Sequence, residues 1–200
     1  MMSRSNSYKF ATFLAVIGVV ISPVVAGGVA DTKTSTITAT IGSSIGLTTS
    51  GAVPISLTPT AGGVVSSASD AVSVSTNNSA GYTLTLSNAD AVTNLISSGN
   101  TIAAHAGTFT TPTALASNTW GYRVVGAGGF TATAYSAESN AVSSTSTWAG
   151  VPALASPQEL KSTSTTASND VTTVWYGVKA NTSLASGAYS DTVTYTATTK

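Results

Sequence analysis

Strict alternation of apolar and polar residues constrains this chain more than any other feature. In the last thirty residues, Val171 to Lys200, the side chains of Val174, Tyr176 and Val178 alternate with Thr173, Trp175 and Gly177. Asn181 to Gly187 breaks the pattern, and Tyr189, Val193, Tyr195 and Ala197 then alternate with Ser190, Thr192, Thr194, Thr196 and Thr198. A period of two places one face of each segment in a core and the other in water, so two strands joined by a short loop, a terminal hairpin, are expected. Threonine on the wet face still favours a strand, because its β-branched side chain fits a pleated surface. Asp31 to Ile41 alternates in the same way, with Thr32, Thr34, Thr36, Thr38 and Thr40 on one face and Ile37, Ala39 and Ile41 on the other. It reads as a half-buried first strand.

Between these ends the pattern predicts further short strands. They are Val53 to Thr58, with Pro54 marking an edge or strand start, Val72 to Ser75, Tyr82 to Leu86, Thr108 to Thr110, Trp120 to Val125, Phe130 to Tyr135 and the edge strand Gln158 to Ser162. Asn77 and Asn78 supply turn chemistry between Val72–Ser75 and Tyr82–Leu86, so a hairpin is expected there. Pro59 to Asp70 and Ser136 to Thr147 read as loop, and Trp148 as a buried anchor in a loop. Asn88 to Ile102 reads as loop with a helical turn on Ala91, Val92, Leu95 and Ile96, too short to hold a helix without tertiary support. Of 200 residues, 31 are Ser and 35 Thr, yet hydrophobic content is 42% and can supply a core. Many short strands with turns every ten residues or so predict an all-β chain, an antiparallel Greek-key β-sandwich of Ig-like or jelly-roll-like form. It is expected to form a single domain over residues 27–200.

The N-terminus has the composition of a secretory signal peptide. Arg4 and Lys9 give a positive start, Phe10 to Ile21 an apolar run, Pro23 its end, and Val24-Val25-Ala26 small residues for cleavage after residue 26, with a second cut after residue 30. The apolar run is short for a membrane span. Cleavage would remove 2 of the 7 basic residues, leaving 5 against 7 acidic, a net charge of −2. Lys33, Arg123, Lys161, Lys179 and Lys200 are scattered, which argues against nucleic acid as a partner. No membrane span is expected after cleavage, nor a lipid or cell-wall anchor. The absence of cysteine means a fold that stands without disulfides. An extracellular or periplasmic location, secreted or on the cell surface, follows as the expectation.

Leu184-Ala185-Ser186-Gly187-Ala188-Tyr189 has the spacing Leu-x-x-Gly-x-Tyr. Leu184, Gly187 and Tyr189 thus resemble the tyrosine corner of Greek-key sandwiches, whose hydroxyl bonds back to upstream backbone. A tyrosine that merely starts a strand has the same local sequence, and either role is structural. Gly187 to Thr196 also resembles the closing strand of secreted bacterial Ig-like and fimbria-like surface proteins, including spore-coat-type pilins. That resemblance covers about thirty residues, and those pilins commonly carry cysteines that this chain lacks. It implies a surface protein that builds a fibre or coat, or an adhesin.

Residues that could carry chemistry are few. His105 is the only histidine, has no acid nearby in sequence, and reads as packed or solvent-facing. No serine sits in a Gly-x-Ser-x-Gly elbow, and one histidine without cysteine makes a zinc site improbable. The carboxylates Asp31, Asp70, Asp90, Glu138, Glu159, Asp170 and Asp191 form no close pair in sequence of the kind a glycosidase uses. Asp70, Asp90, Asn77, Asn78 and Asn88 could offer oxygens to calcium, but turn formation is the better account. Trp120, Trp148 and Trp175 could stack on sugar rings, although plugging the core is the stronger reading. A non-enzymatic surface protein without cofactor is the expected function, with a carbohydrate-binding module as the alternative. Self-assembly, other surface proteins and glycans are the expected partners. Two further expectations concern the first strand. By the alternation Lys33 and Asp191 both face inward, where an ordinary ion pair or a strand-end position near solvent is commoner than an isopeptide cross-link, and the unguarded edge of Asp31–Ile41 either completes its own sheet or is donated to a neighbour.

Overall fold

The computed structural model describes residues 28–132 and 134–200. The targeting segment 1–26, with Arg4, Lys9 and the apolar run, lies outside the described residues. The chain divides into two compact units, residues 1–40 and 41–200. In the first, residues 28–40 have no regular secondary structure and are exposed. The expected strand Asp31–Ile41 is therefore absent. Ile37 and Ile41 are 92% and 86% exposed, and among the described residues no strand pairs with the segment to give the alternating pattern a ladder. Lys33 pairs with Asp31 at 3.0 Å and is largely exposed rather than inward, and Asp191 instead accepts a hydrogen bond from the Asn88 side-chain amide at 2.6 Å.

Residues 41–200 are all-β, and no helix occurs among the described residues. Eleven strands follow in order: β1 Ile45–Thr48, β2 Val64–Thr76, β3 Tyr82–Asn88, β4 Leu95–Ser97, β5 Asn100–Ala104, β6 Thr113–Ala114, β7 Thr119–Val124, β8 Thr147–Trp148, β9 Gln158–Ser162, β10 Ala167–Ala180 and β11 Val193–Thr199. They form a six-stranded sheet in the order β1-β2-β10-β7-β5-β4, a three-stranded sheet β11-β3-β9 and a small β6-β8 pair. The expectation of purely antiparallel sheets is corrected at one place: β5 and β7 run parallel, through Ala103↔Thr119 and Ala104↔Trp120. Asn88–Ile102, expected as loop with a helical turn, contains β4 and the start of β5 instead. Tertiary pairing with β7 outweighs the weak local signal. Thr108–Thr110, Val53–Thr58 and the described residues of Phe130–Tyr135 form no strand, and β2 begins at Val64, inside the expected loop.

The long strands β2 and β10 pair along almost their whole length, from Val64↔Ala180 to Asp170↔Val74. Val72, Val74, Trp120, Tyr122, Val124, Val174, Tyr176 and Val178 project from one face of the large sheet. They meet Tyr82, Leu84, Leu86 and Leu160 of the small sheet in one buried cluster. The two sheets thus face each other across a shared core in a sandwich-like arrangement. The Tyr176 and Tyr195 hydroxyls touch across that core at 2.7 Å.

Both expected hairpins are corrected. β2 and β3 belong to different sheets, and so do β10 and β11. In each case the chain arches over the edge of the core, so consecutive strands meet face to face instead of edge to edge. The first arch is held by Asn78, which donates to the carbonyls of Gly81 and Lys200, and by Gly81 at φ +84°. A Cβ at Gly81 would lie 2.5 Å from the Thr163 carbonyl oxygen, so the arch needs glycine.

On the outer face of the large sheet, Gly177 lies opposite Gly121. The flat lane at Gly177 receives the Trp148 indole, whose ring atoms would come within 2.5 Å of any Cβ at Gly177. Arg123, 4% exposed, packs beside it with its guanidinium 4.1 Å from the Tyr135 ring centre and 5.8 Å from Trp148. Tyr135 in turn meets Trp175 edge-on at 4.8 Å.

Candidate functional site

The small sheet has three strands and the large sheet six, so part of the inner face of the large sheet is left without a sheet opposite it. A groove of about 1100 Å³ runs there. Ile102, Trp120, Tyr176 and Val178 line it from the large sheet, while Leu47–Leu57 and Leu184–Tyr195 supply its flanks. Along the first flank Val53, Ile55 and Leu57 are half-buried and alternate with the exposed Pro54, Ser56 and Thr58. The period-two pattern seen there in the sequence places an apolar face over the core without a ladder.

The charged residues lining the groove are Asp70 and Asp191, and both are satisfied locally. Asp70 accepts from the Ser50 amide at 2.8 Å and from the Ser50 hydroxyl, and Asp191 accepts from Asn88 and from the Thr192 amide at 2.7 Å. Burial, with the neighbouring Tyr195 hydroxyl, pushes the Tyr176 hydroxyl well above its usual pKa, and burial raises Tyr195 as well. Both therefore stay neutral through any ordinary pH. Apart from these two carboxylates the groove presents apolar carbon and neutral hydroxyls, and an uncharged chain with one apolar face is the ligand chemistry it suits.

One side of the groove is also an open sheet edge. β11 ends the order β11-β3-β9, so it pairs on one side only. Its even-numbered main-chain groups face β3: the Ala89 amide donates to Thr192 and the Lys200 amide to Gly81. The alternation of a strand then turns the main-chain groups of Val193, Tyr195 and Ala197 toward the edge that carries no ladder among the described residues, with β1 lying near it.

The residues singled out in the sequence are placed as follows. The Tyr189 hydroxyl donates to the Ala185 carbonyl at 2.8 Å, four residues upstream, and Leu184 packs against the core. Gly187 lies against Ser97, whose hydroxyl oxygen would be 2.5 Å from an added Cβ. All three lie in the 184–195 flank. Trp120 and Trp148 are 4% and 0% exposed, which corrects the idea that they stack on sugar. Trp120 donates its indole N–H to the Thr93 carbonyl at 2.8 Å, and Trp148 fills the glycine lane. Trp175 is half-buried and keeps part of its surface open on the outer face. Trp148 and Trp175 both pack on Tyr135 on the outer face, whereas Trp120 lies on the inner face.

His105 is 8% exposed. Its Nε2 lies 2.8 Å from the Thr113 hydroxyl, and its Nδ1 is buried without a partner among the described residues. Gly107, Gly121 and Gly150 crowd it, and desolvation lowers its pKa. No carboxylate pairs with it, so it has no partner of the kind a triad requires. Sequence reasoning missed the groove and the buried Arg123, since both arise from segments far apart in the chain. The alternation over 53–57 was the local sign of the former. The chain matches no protein-family model, no curated protein and no solved structure.

Proposed function

We propose that this chain is a non-enzymatic structural subunit exported to the bacterial cell surface, outside the cytoplasm, where it builds a fibre or coat. Its sandwich is read as a Greek-key, Ig-like or fimbria-like one. Copies join when segment Asp31–Ile41 of one lies in the groove of the next. The observation that carries this reading is the groove with an open β11 edge beside it. The segment complements it: Ile37, Ala39 and Ile41 recur every second residue, none of the residues from Thr34 to Ile41 is charged, and both isoleucines are exposed. Burying each isoleucine is worth about 1.5–3 kcal/mol, and main-chain bonds along β11 would add specificity. One surface donates and a different one accepts, so the contact is head-to-tail and propagates.

Electron microscopy and light scattering test this directly. The parent should form filaments, whereas Ile37→Asp/Ile41→Asp should stay monomeric with an unchanged melting temperature, because both positions are exposed in the free chain. A parent that remains monomeric at high concentration sinks the proposal. The second reading, a carbohydrate-binding module or adhesin, is favoured by the open part of Trp175 beside Tyr135. Saturable quenching of tryptophan fluorescence by soluble glycans, lost in Trp175→Ala, would move the assignment there.

A further inference from the structure

The other flank of the groove carries its own unused hydrogen-bonding edge. Among the described residues, the main chain from Ala52 to Leu57 bonds to no other main-chain group. Such groups must find water or a partner. The segment is anchored at its ends instead, by Ser50 on Asp70 and by the Thr58 amide, which donates to the Asn140 side chain at 2.7 Å. Asn140 sits beside β2, since its main-chain amide donates to the Ser66 hydroxyl at 2.9 Å. The Thr58 amide therefore points toward β2. Along an alternating segment Ser56 and Pro54 share that direction, and Val53, Ile55 and Leu57 turn the opposite way, toward the groove. Pro54 thus lacks an N–H on the side where none is needed.

We infer that Ala52–Leu57 is a latent strand, a second docking edge that forms its ladder only when segment Asp31–Ile41 of a second copy enters the groove. The incoming segment is then held from both sides, by β11 and by Val53, Ile55 and Leu57. The small sheet gains two strands and comes closer to the six opposite it. This rests on the proposed function and assigns it a partner surface that the free chain leaves unpaired.

Hydrogen exchange on the full exported chain tests it. The acceptor carries Ile37→Asp and Ile41→Asp, so that it cannot donate, and a synthetic peptide of residues 31–42 serves as the occupant. Exchange should slow by about tenfold or more both in 193–199 and in 52–57. Protection of 193–199 alone would overturn the second edge while leaving the proposed function standing. Protection of neither, with no peptide bound, would overturn both. A proline pair checks the direction independently. Ile55→Pro should weaken peptide affinity about tenfold relative to Ile55→Ala, and Ser56→Pro should leave it unchanged. Equal affinities for the two proline variants would overturn the inference.

Discussion

Tyr189 and Tyr195 sit six residues apart and spend their hydroxyls differently. Tyr189 bonds a carbonyl near the surface, so Tyr189→Phe should cost about 0.5–1.5 kcal/mol in a urea melt, the net worth of one hydrogen bond. On a plain strand Tyr195→Phe should cost less than Tyr189→Phe if the Tyr195 hydroxyl reaches water. It reaches the Tyr176 hydroxyl instead, and Tyr176 is buried. Tyr195→Phe leaves that hydroxyl without its partner and should cost about 1–3 kcal/mol, more than Tyr189→Phe. The reverse order would contradict the cross-core contact. His105 gives a pH signature. Desolvation holds its folded pKa below the usual 6.5, so the unfolded chain binds a proton that the folded chain resists. Its contribution to stability is fully present above pH ~6.5 and is lost as pH falls toward the folded pKa. His105→Gln should flatten the stability–pH profile in that window, and an unchanged profile would count against the buried, unpartnered Nδ1. Asp170 acts in the opposite sense to its own burial. Desolvation pushes its carboxyl up, yet the Lys161 ammonium and the Tyr82 hydroxyl hold it below the usual range.

At the level of elements, alternation identified strands far better than partners. Gln158–Ser162 matches β9 residue for residue, and β7, β11 and the inward residues of β10 follow the expected pattern. A hairpin and an arch share the same local sequence: two alternating runs and a polar turn. Which one forms depends on whether the apolar faces pack on each other or share a third surface, and that third surface lies elsewhere in the chain. Val72 and Val74 lie in one buried cluster with Leu84 and Leu86 of the opposite sheet, a face-to-face relation that the local alternation does not distinguish from a hairpin. The groove was hidden for the same reason, because its two flanks are separated by more than a hundred residues. Gly81 is the point at which the first arch can be tested. Alanine there faces both the strained φ and the Thr163 carbonyl, so Gly81→Ala should destabilise by about 1–3 kcal/mol. A neutral result would mean that the arch is not held as described.

Across the whole molecule, the central β2–β10 pairing determines when a fold can exist. Val64 meets Ala180, and Val74 meets Asp170. Between them the chain builds almost everything else, and neither arch brings its own strands together as a ladder. Such sequence-distant pairing makes closure slow, because a large loop must lose entropy before any contact rewards it. A chain emerging N-terminus first therefore exposes β2, with its buried valines, for as long as residues 167–180 are still to come. During that interval its thirteen residues are an unprotected template for other chains. The order of emergence, more than final stability, then sets the danger of premature association, and a cell making this protein in quantity would need to keep nascent chains apart until Ala167–Ala180 has emerged.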